Sequence, residues 1–446
     1  MVWVWLFVCL LGPRLVLAIW WPTGGGDSAV YATVANNILL NQCVSLSPPA
    51  GGDCSPHWGG NQLPGYPAFL AGVWTISHNH VAALIVQSAL ISAAVIWCAY
   101  CVSKLTNRAV AVASALIVGL SPLTLAWSRF LLTDTLSVAA TLCVVAEVFR
   151  AWHYGRVRVL SLAAALAAAF FLRYSNFLLL LLLVPLLWRQ RPALTVALAL
   201  ALVPAGAWWL RSIDAGLGWH PPSGAMPDGG RAPAGYIAWG NGWMTDQYQY
   251  SGWFNPVPAR RYSEITLPPQ AFAVNGGRVT TLLANMAGYD GAELPPEIDD
   301  AFRAISQRQW RLVPLRIWNM WFAPYYSSGW PVSLRPPPDQ TPWELARKNP
   351  VPAAVKVGTA LYRVALLPIA LLMAWWTTGW RRTLLLAGLG YAAVQSIVHA
   401  SFGFIDTRYL LGPGAILELA VAVVLLGYLS RRFIRVRSQA TRISDT

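Results

Sequence analysis

The chain has 446 residues, 56% of them hydrophobic and only 11% charged. An ordinary soluble domain is roughly a quarter charged, so water is not the main solvent of this one. The formal net charge of +14 would suit a nucleic-acid binder, but the basic residues stand between apolar runs instead of forming one patch. That gives them a topological role and leaves no need for a nucleic-acid partner.

Crossing about 30 Å of hydrocarbon takes roughly 20 apolar residues as a helix. Runs of that kind lie near 2–21, 80–102, 109–127, 133–149, 159–172, 175–188, 193–212, 352–377, 383–400 and 409–429. The expected architecture is an all-α polytopic membrane protein with about ten transmembrane helices. The first run also reads as a signal peptide, since Val16 and Ala18 fit a small-residue cleavage pattern. No basic side chain precedes the run, however, and Arg14 interrupts it, which suits a retained helix with an interior cation. The runs at 159–172 and 175–188 are short and flanked by Arg156, Arg158, Arg189 and Arg191, as expected of a shallow hairpin.

Between the first two runs lies a loop, 22–79. After Gly24-Gly25-Gly26, Asp27 and Ser28 stand where a helix N-cap belongs, and Ala29–Leu40 reads as a helix. A second helical piece follows Pro64-Gly65-Tyr66-Pro67. The pair is expected to roof the ends of the spans, tied by a disulfide between Cys43 and Cys54 in an oxidising compartment. The other four cysteines, Cys9, Cys98, Cys101 and Cys143, fall inside apolar runs and read as packing. The segment 213–351 is rich in Pro, Gly, Trp and Tyr. Ile298, Phe302, Ile305, Trp310, Val313, Ile317 and Trp321 recur there near helical spacing, as in a helix lying on a bilayer. Three regions result: a core, 1–212; an outer loop region, 213–351; and the last helices with a basic tail, 352–446.

The basic residues order these runs. Lys104, Arg108, Arg150, Arg156, Arg158, Arg189, Arg191, Arg381 and Arg382 fall in alternate turns, joined by the tail arginines from Arg431 to Arg442. The opposite short turns hold Arg129, Arg173 and Arg408. The positive-inside rule then puts both termini in the cytoplasm and 213–351 outside, in the plasma (inner) membrane.

Carboxylates near the outer boundary are Asp27, Asp134 and Asp406. Each is expensive there, on the order of 3 kcal/mol at a helix centre, and therefore a candidate for function. Helix capping is the bland alternative for Asp27 and Asp134. Facing them are Arg129, Arg173 and Arg408, with Arg14, Lys356 and Arg363 deeper in their runs. Such a set suits a phosphate, because guanidinium offers planar paired donors; snorkelling to headgroups is the alternative. If a sugar donor is linked to lipid through phosphate, its leaving group needs positive charge and no general acid. A single carboxylate then suffices as base toward an acceptor hydroxyl. Asp27, Asp53 and His57 share one loop and could hold a divalent metal, but their spacing matches no specific site. Glu418 is a candidate partner for Arg14 at similar depth.

Five stretches together resemble a known group: GGGDSAVYATVANNI from Gly24, NQLPGYPAFLAGVW from Asn61, SPLTLAWSRFLLTDTLSVAATL from Ser121, FLRYSNFLLLLLLVPLL from Phe171 and DTRYLLGPG from Asp406. In this order they resemble the GT-C glycosyltransferases of the protein O-mannosyltransferase and lipid A aminoarabinose transferase type. The resemblance implies Asp27 as catalytic base and Asp134 as the second acidic position. It implies Arg173 and Arg408 at the donor phosphate, and Arg129 and Arg363 are added here from their placement. It further implies a polyprenyl-phosphate sugar as donor and no required cofactor. Paired acids in the first loop, found in some members, are absent. The acceptor, whether glycan, lipid or protein, stays open, and a transporter or flippase of lipid-linked glycans is the alternative function. A tag inserted within 213–350 should be reached by protease from the outside of sealed, right-side-out vesicles; cleavage only from the cytoplasmic face would overturn the orientation.

Overall fold

A computed structural model describes residues 1–24, 27–44, 63–214, 234–245, 269–272, 276–286, 296–306, 310–322, 342–403 and 405–444. Among these, regular structure is helical, and the single β feature is an isolated parallel bridge between Thr23 and Phe130. Seven helices are long and apolar enough to cross a membrane, or eight if a bent pair counts as one span. They include α1 (Val2–Trp20), α4 (His80–Leu105) and α7 (Thr133–Tyr154), with α2 and α3 belonging to the roof described below. The bent pair joins α5 (Arg108–Gly119) to the short α6 (Pro122–Leu125) and its 3-10 extension to Arg129, at 44°.

The expected count of about ten differs from this for two reasons. Helix α8 (Val159–Leu172) is too short to pass as a span. The stretch Tyr174–Arg211 counts as one candidate span, although the 3-10 turn Trp188–Gln190 interrupts it where the sequence divides it. Inside this stretch, α9 (Leu179–Leu187) descends beside α7: Asn176 donates to Ser137 Oγ at 2.9 Å, and Trp152 Nε1 donates to the Leu186 carbonyl at 2.9 Å. Helix α10 (Arg191–Asp214) then packs on α8 through Leu194, Ala197 and Ala201. Because α8 lies between the two ends of the bundle, that contact requires the stretch to turn back at the 3-10 turn Trp188–Gln190.

Helix α7 and the last span, Thr407–Ser430, are buried over 83% of their apolar windows, against 28% for α1, so those two form the centre. The α4–α7 contact is the most extensive in the bundle. Ser88, Ser92 and Ala99 on α4 and Ala139, Ala140 and Ala146 on α7 are buried small residues that let helices approach closely, as apolar surroundings require.

The turns that carry Lys104 with Arg108, Arg150 to Arg158, Arg189 with Arg191 and Arg381 with Arg382 fall at one end of the bundle. Asn107 Nδ2 donates to Ser430 Oγ at 2.8 Å, Trp152 rests against Trp380, and Gln190 donates to the Ala151 carbonyl. The opposite end collects Thr23, Arg129–Asp134, Arg173 and Asp406–Arg408. Here α2 (Ser28–Asn41) and α3 (Gly65–Trp74) pack together as expected, with the Tyr31 and Tyr66 rings 5.1 Å apart edge to face. Tyr66 donates to Gln87 Oε1 at 2.9 Å, and Gln87 Nε2 donates to the Ser128 and Phe130 carbonyls, so the roof is bonded to the turn before α7. Cys43 is buried and disulfide-bonded, whereas Cys54, its expected partner, lies outside the described residues; the other four cysteines are free thiols.

Two expectations need correction. The helical stretch from Pro296 is not one continuous helix. It comprises α13 (Pro296–Ile305), a 3-10 turn Trp310–Leu312 and α14 (Val313–Phe322), counting α11 (Ala234–Gly240) and α12 (Gly276–Met286) before them. Helix α14 sits on the bundle: Arg316 donates to the carbonyls of Met244 at 2.8 Å, Ala400 at 2.9 Å and Asn241, and Trp321 Nε1 donates to Ser396 Oγ at 3.0 Å. Burial lowers the Arg316 guanidinium to about 10. Gly403, at φ +76, lies so close to Asn241 Oδ1 that a Cβ would meet it at 2.0 Å. The second correction concerns Glu418, which does not pair with Arg14. Arg14 donates to the carbonyls of Leu10 at 3.1 Å and Gly119 at 2.5 Å, while Glu418 accepts from Ser121 Oγ.

The roof depends on one close approach. A Cβ on Gly65 would lie 2.5 Å from the Phe171 carbonyl oxygen. Gly65→Ala should therefore lower stability by about 1–3 kcal/mol, as overpacking does. Thermal unfolding in detergent measures it, and an unchanged midpoint would contradict the packing.

Candidate functional site

Four segments distant in sequence meet at the roofed end. Asp27 occupies the N-cap position of α2, with φ −80 and ψ −11, but its side chain makes no capping hydrogen bond. Its Oδ2 instead takes Arg408 Nη1 at 3.0 Å. Asp134 lies in the first turn of α7, where a negative charge suits the helix dipole. It does not cap either, and its Oδ1 pairs with Arg173 Nη1 at 2.9 Å. The capping alternative thus fails for both carboxylates.

The two cations are held by different means. Arg173 ends α8 in extended geometry, φ −153 and ψ 131, which swings it off the helix, and its Nη1 also donates to the Arg408 carbonyl at 3.2 Å. Arg408 rides a 3-10 turn, Thr407–Leu410, whose N-cap is Asp406: Asp406 Oδ1 accepts the Arg408 amide at 3.0 Å, and its Oδ2 lies 3.3 Å from Arg408 Nε. Both guanidiniums stand over the Tyr409 ring, at 5.0 and 5.4 Å, and His399 stacks on that ring at 4.2 Å. The Tyr31 hydroxyl reaches the same field. Burial, and then the Asp27 charge, push it well above the usual tyrosine range, so it stays a proton donor.

Exposure separates the carboxylates. The side chain of Asp27 is 38% exposed, against 7% for Asp406 and 1% for Asp134. Only the first can meet a soluble or membrane-borne substrate without rearrangement. Asp134 and Asp406 fix the two guanidiniums.

Arg129 and Arg363 do not join this cluster. Arg129 Nη1 donates to the Trp21 carbonyl at 3.1 Å and to Thr23 Oγ1, bonding the first loop to the turn before α7. Arg363, on α16 (Pro350–Trp376, after α15, Pro342–Lys348), donates through Nε to the Trp321 carbonyl at 2.6 Å. It also lines a small gap with Trp127, Thr359 and Thr407, next to Arg408, and it interacts electrostatically with Asp406. Lys356 is buried two turns away on the same helix. Among the described residues no three His, Cys, Asp or Glu side chains form a metal site. Asp53 and His57 lie outside the described residues. Sequence reading named Asp406 only as a boundary acid and missed Tyr31, Tyr409 and His399. The first is in the stretch from Gly24 and the second in DTRYLLGPG, so adjacency to Asp27 and Arg408 was the available signal.

Residues 61–209, a third of the chain, match the family model described as dolichyl-phosphate-mannose-protein mannosyltransferase. The chain resembles the GT-C glycosyltransferases. The matched part includes Asp134 and Arg173, with Asp27 and Arg408 on either side of it. Two solved structures are similar along most of the chain. ArnT from Cupriavidus metallidurans bound to undecaprenyl phosphate shows 15% identity and a TM-score of 0.41, over 96% of this chain and 78% of that one. ArnT from the same organism in the apo state shows 13% and 0.39, over 95% and 76%. At these scores the likeness is too distant to carry the fold by itself. No curated protein matches the chain.

Breaking a buried ion pair leaves an unpaired charge and costs about 3–5 kcal/mol, whereas an exposed pair contributes about 0–1 kcal/mol. Asp134→Asn should therefore destabilise the folded chain far more than Asp27→Asn. Denaturant or thermal unfolding of both variants checks this, and equal losses would contradict the difference in burial.

Proposed function

We propose that the chain is a membrane glycosyltransferase that moves a sugar from a polyprenyl-phosphate carrier to an acceptor hydroxyl at the extracytoplasmic face. The observation that carries this reading is the Asp27–Arg408 pair beside Asp134–Arg173: one accessible carboxylate set among guanidiniums fixed by buried carboxylates. The basic turns crowd the opposite end of the bundle, which supports placing the site outside the cytoplasm. The family match supports a lipid-linked sugar donor.

The chemistry follows from the side chains. Asp27 accepts the proton of the acceptor hydroxyl as its oxygen bonds to the anomeric carbon. The bond from that carbon to the phosphate oxygen breaks on the opposite face, so the configuration inverts in a single displacement. The phosphate departs on its polyprenyl chain as an anion that Arg408 and Arg173 stabilise, and no general acid is required. Arg408 serves both groups, since the phosphate competes with Asp27 for Nη1. Arg363, in the gap beyond Thr407, adds positive charge on the same side, and Arg129 holds the loop that carries Asp27. No divalent cofactor enters this scheme.

Loss of the protein should make a polyprenyl-phosphate sugar accumulate, detected by mass analysis of membrane lipids, and the purified protein should turn that lipid over. Asp27→Asn should keep membrane insertion and donor binding but lose at least about a hundredfold in transfer, the lower end for a lost acid–base group. Arg173→Ala should weaken donor binding about ten- to a hundredfold, since charged hydrogen bonds contribute about 1.5–3 kcal/mol, while Arg431→Ala in the tail should not. Near wild-type turnover by Asp27→Asn would refute its role as base.

A further inference from the structure

The bend at residues 119–122 lies in the middle of an apolar bundle, where every unpaired backbone group is costly. Pro122 has no N–H, so the Val118 carbonyl loses its regular helical donor and takes the Ser121 amide at 3.4 Å and Thr124 Oγ1 at 3.1 Å. The Leu123 amide turns to Ser121 Oγ at 3.1 Å instead of to Gly119. The Gly119 carbonyl takes Arg14 Nη1 at 2.5 Å, and Arg14 Nη2 reaches Thr124 Oγ1 at 3.3 Å. On the other side Ser121 Oγ donates to Glu418, with the Tyr362 hydroxyl beside it. Gly119 leaves room for the Leu10 side chain here, since a Cβ would meet Leu10 Cδ2 at 2.5 Å. Both charged residues are fully buried, at 0% and 1% exposure.

The bend leads directly to the site. From it the chain runs to Arg129, whose carbonyl accepts the Thr23 amide at 3.0 Å; the Thr23 carbonyl accepts the Leu131 amide at 3.3 Å, and the Leu131 carbonyl accepts Ser28 Oγ at 2.9 Å. Asp27 precedes Ser28 and pairs with Arg408. Arg408 and Glu418 lie on one continuous helical stretch, Thr407–Ser430. The contacts close a circuit from Glu418 through Ser121, Arg129, Thr23 and Asp27 to Arg408 and back along the helix.

We propose that Arg14 and Glu418 are positioning residues that clamp the two sides of this mid-bundle bend and thereby set the distance between Asp27 and Arg408. The functional half of this rests on the transferase reading; the clamp itself does not. Glu418 acts as a hydrogen-bond acceptor for Ser121, with no proton transferred in the reaction. A glutamine in its place keeps the acceptor oxygen, whereas Glu418→Leu, Ser121→Ala and Arg14→Met each remove a limb of the clamp.

Hydrogen–deuterium exchange on the protein in lipid nanodiscs, with no substrate present, tests the clamp. In Ser121→Ala, Glu418→Leu and Arg14→Met the Thr23 and Leu131 amides should exchange about tenfold faster or more, as for one lost hydrogen bond, while Glu418→Gln matches wild type. Using the lipid-linked sugar extracted from cells lacking the protein, the first three should lose about tenfold or more in kcat with KM for the donor within about twofold. Glu418→Gln should retain kcat and an unshifted pH profile. Should Leu or Met variants fail to fold, Ser121→Ala against Glu418→Gln decides alone. Unchanged exchange in Ser121→Ala, or equal acceleration in Glu418→Gln, overturns the clamp. Accelerated exchange with wild-type kcat overturns its role at the site. A wild-type protein inert toward the lipid overturns the transferase reading, leaving the exchange result to stand on its own.

Discussion

Charge at the rim of an apolar bundle has to be matched locally, because neither hydrocarbon nor packed side chains can solvate it. Asp134 meets this demand for Arg173, and Asp406 with Asp27 meets it for Arg408. The pairs join the start of α7, the end of α8, the loop after α1 and the turn before the last helix. The shape of the roofed end follows from which carboxylate can reach which guanidinium.

The matching is unequal, and the inequality gives the site its character. Asp134 and Asp406 are buried and committed to holding arginines in place. Asp27 is open to its surroundings, sharing an arginine that has a second carboxylate to hold it. An exposed carboxylate beside a cation that stays anchored when released can exchange that cation for an incoming anion at small cost to the fold. Tyr409, under both guanidiniums, supplies a face that remains when either arginine changes partner.

The same economy appears deeper down. Pro122 breaks the span, and the freed carbonyls and amide are met by Arg14, Thr124 and Ser121, with Glu418 behind Ser121. A charged side chain in the centre of a membrane helix persists where it satisfies backbone that would otherwise be orphaned. Outside the bundle Arg316 does the same for three carbonyls, docking α14 onto the end of the helix before Arg408, α17 (Trp380–Ser401, the element before α18, Leu411–Ser444).

Apolar run length and the one-sided placement of Lys and Arg determined the helical class, most span boundaries and the two ends of the bundle, because both signals are written in consecutive residues. Asp27, Asp134, Arg173 and Arg408 were legible as a group for a related reason: an ionisable residue at a membrane boundary is conspicuous against its neighbours. Their pairing was not legible. It depends on which helix ends converge, and the nearest partners are separated by 39 residues in one case and 381 in the other. Tertiary structure alone also set Arg129 and Arg363 apart from the two ion pairs, each donating to a backbone carbonyl that no sequence pattern announces. The fate of Arg14 and Glu418 was decided the same way: equal depth suggested an ion pair, but the Gly119 carbonyl freed at the bend takes Arg14 and the Ser121 hydroxyl donates to Glu418, so the two charges stand on opposite sides of it.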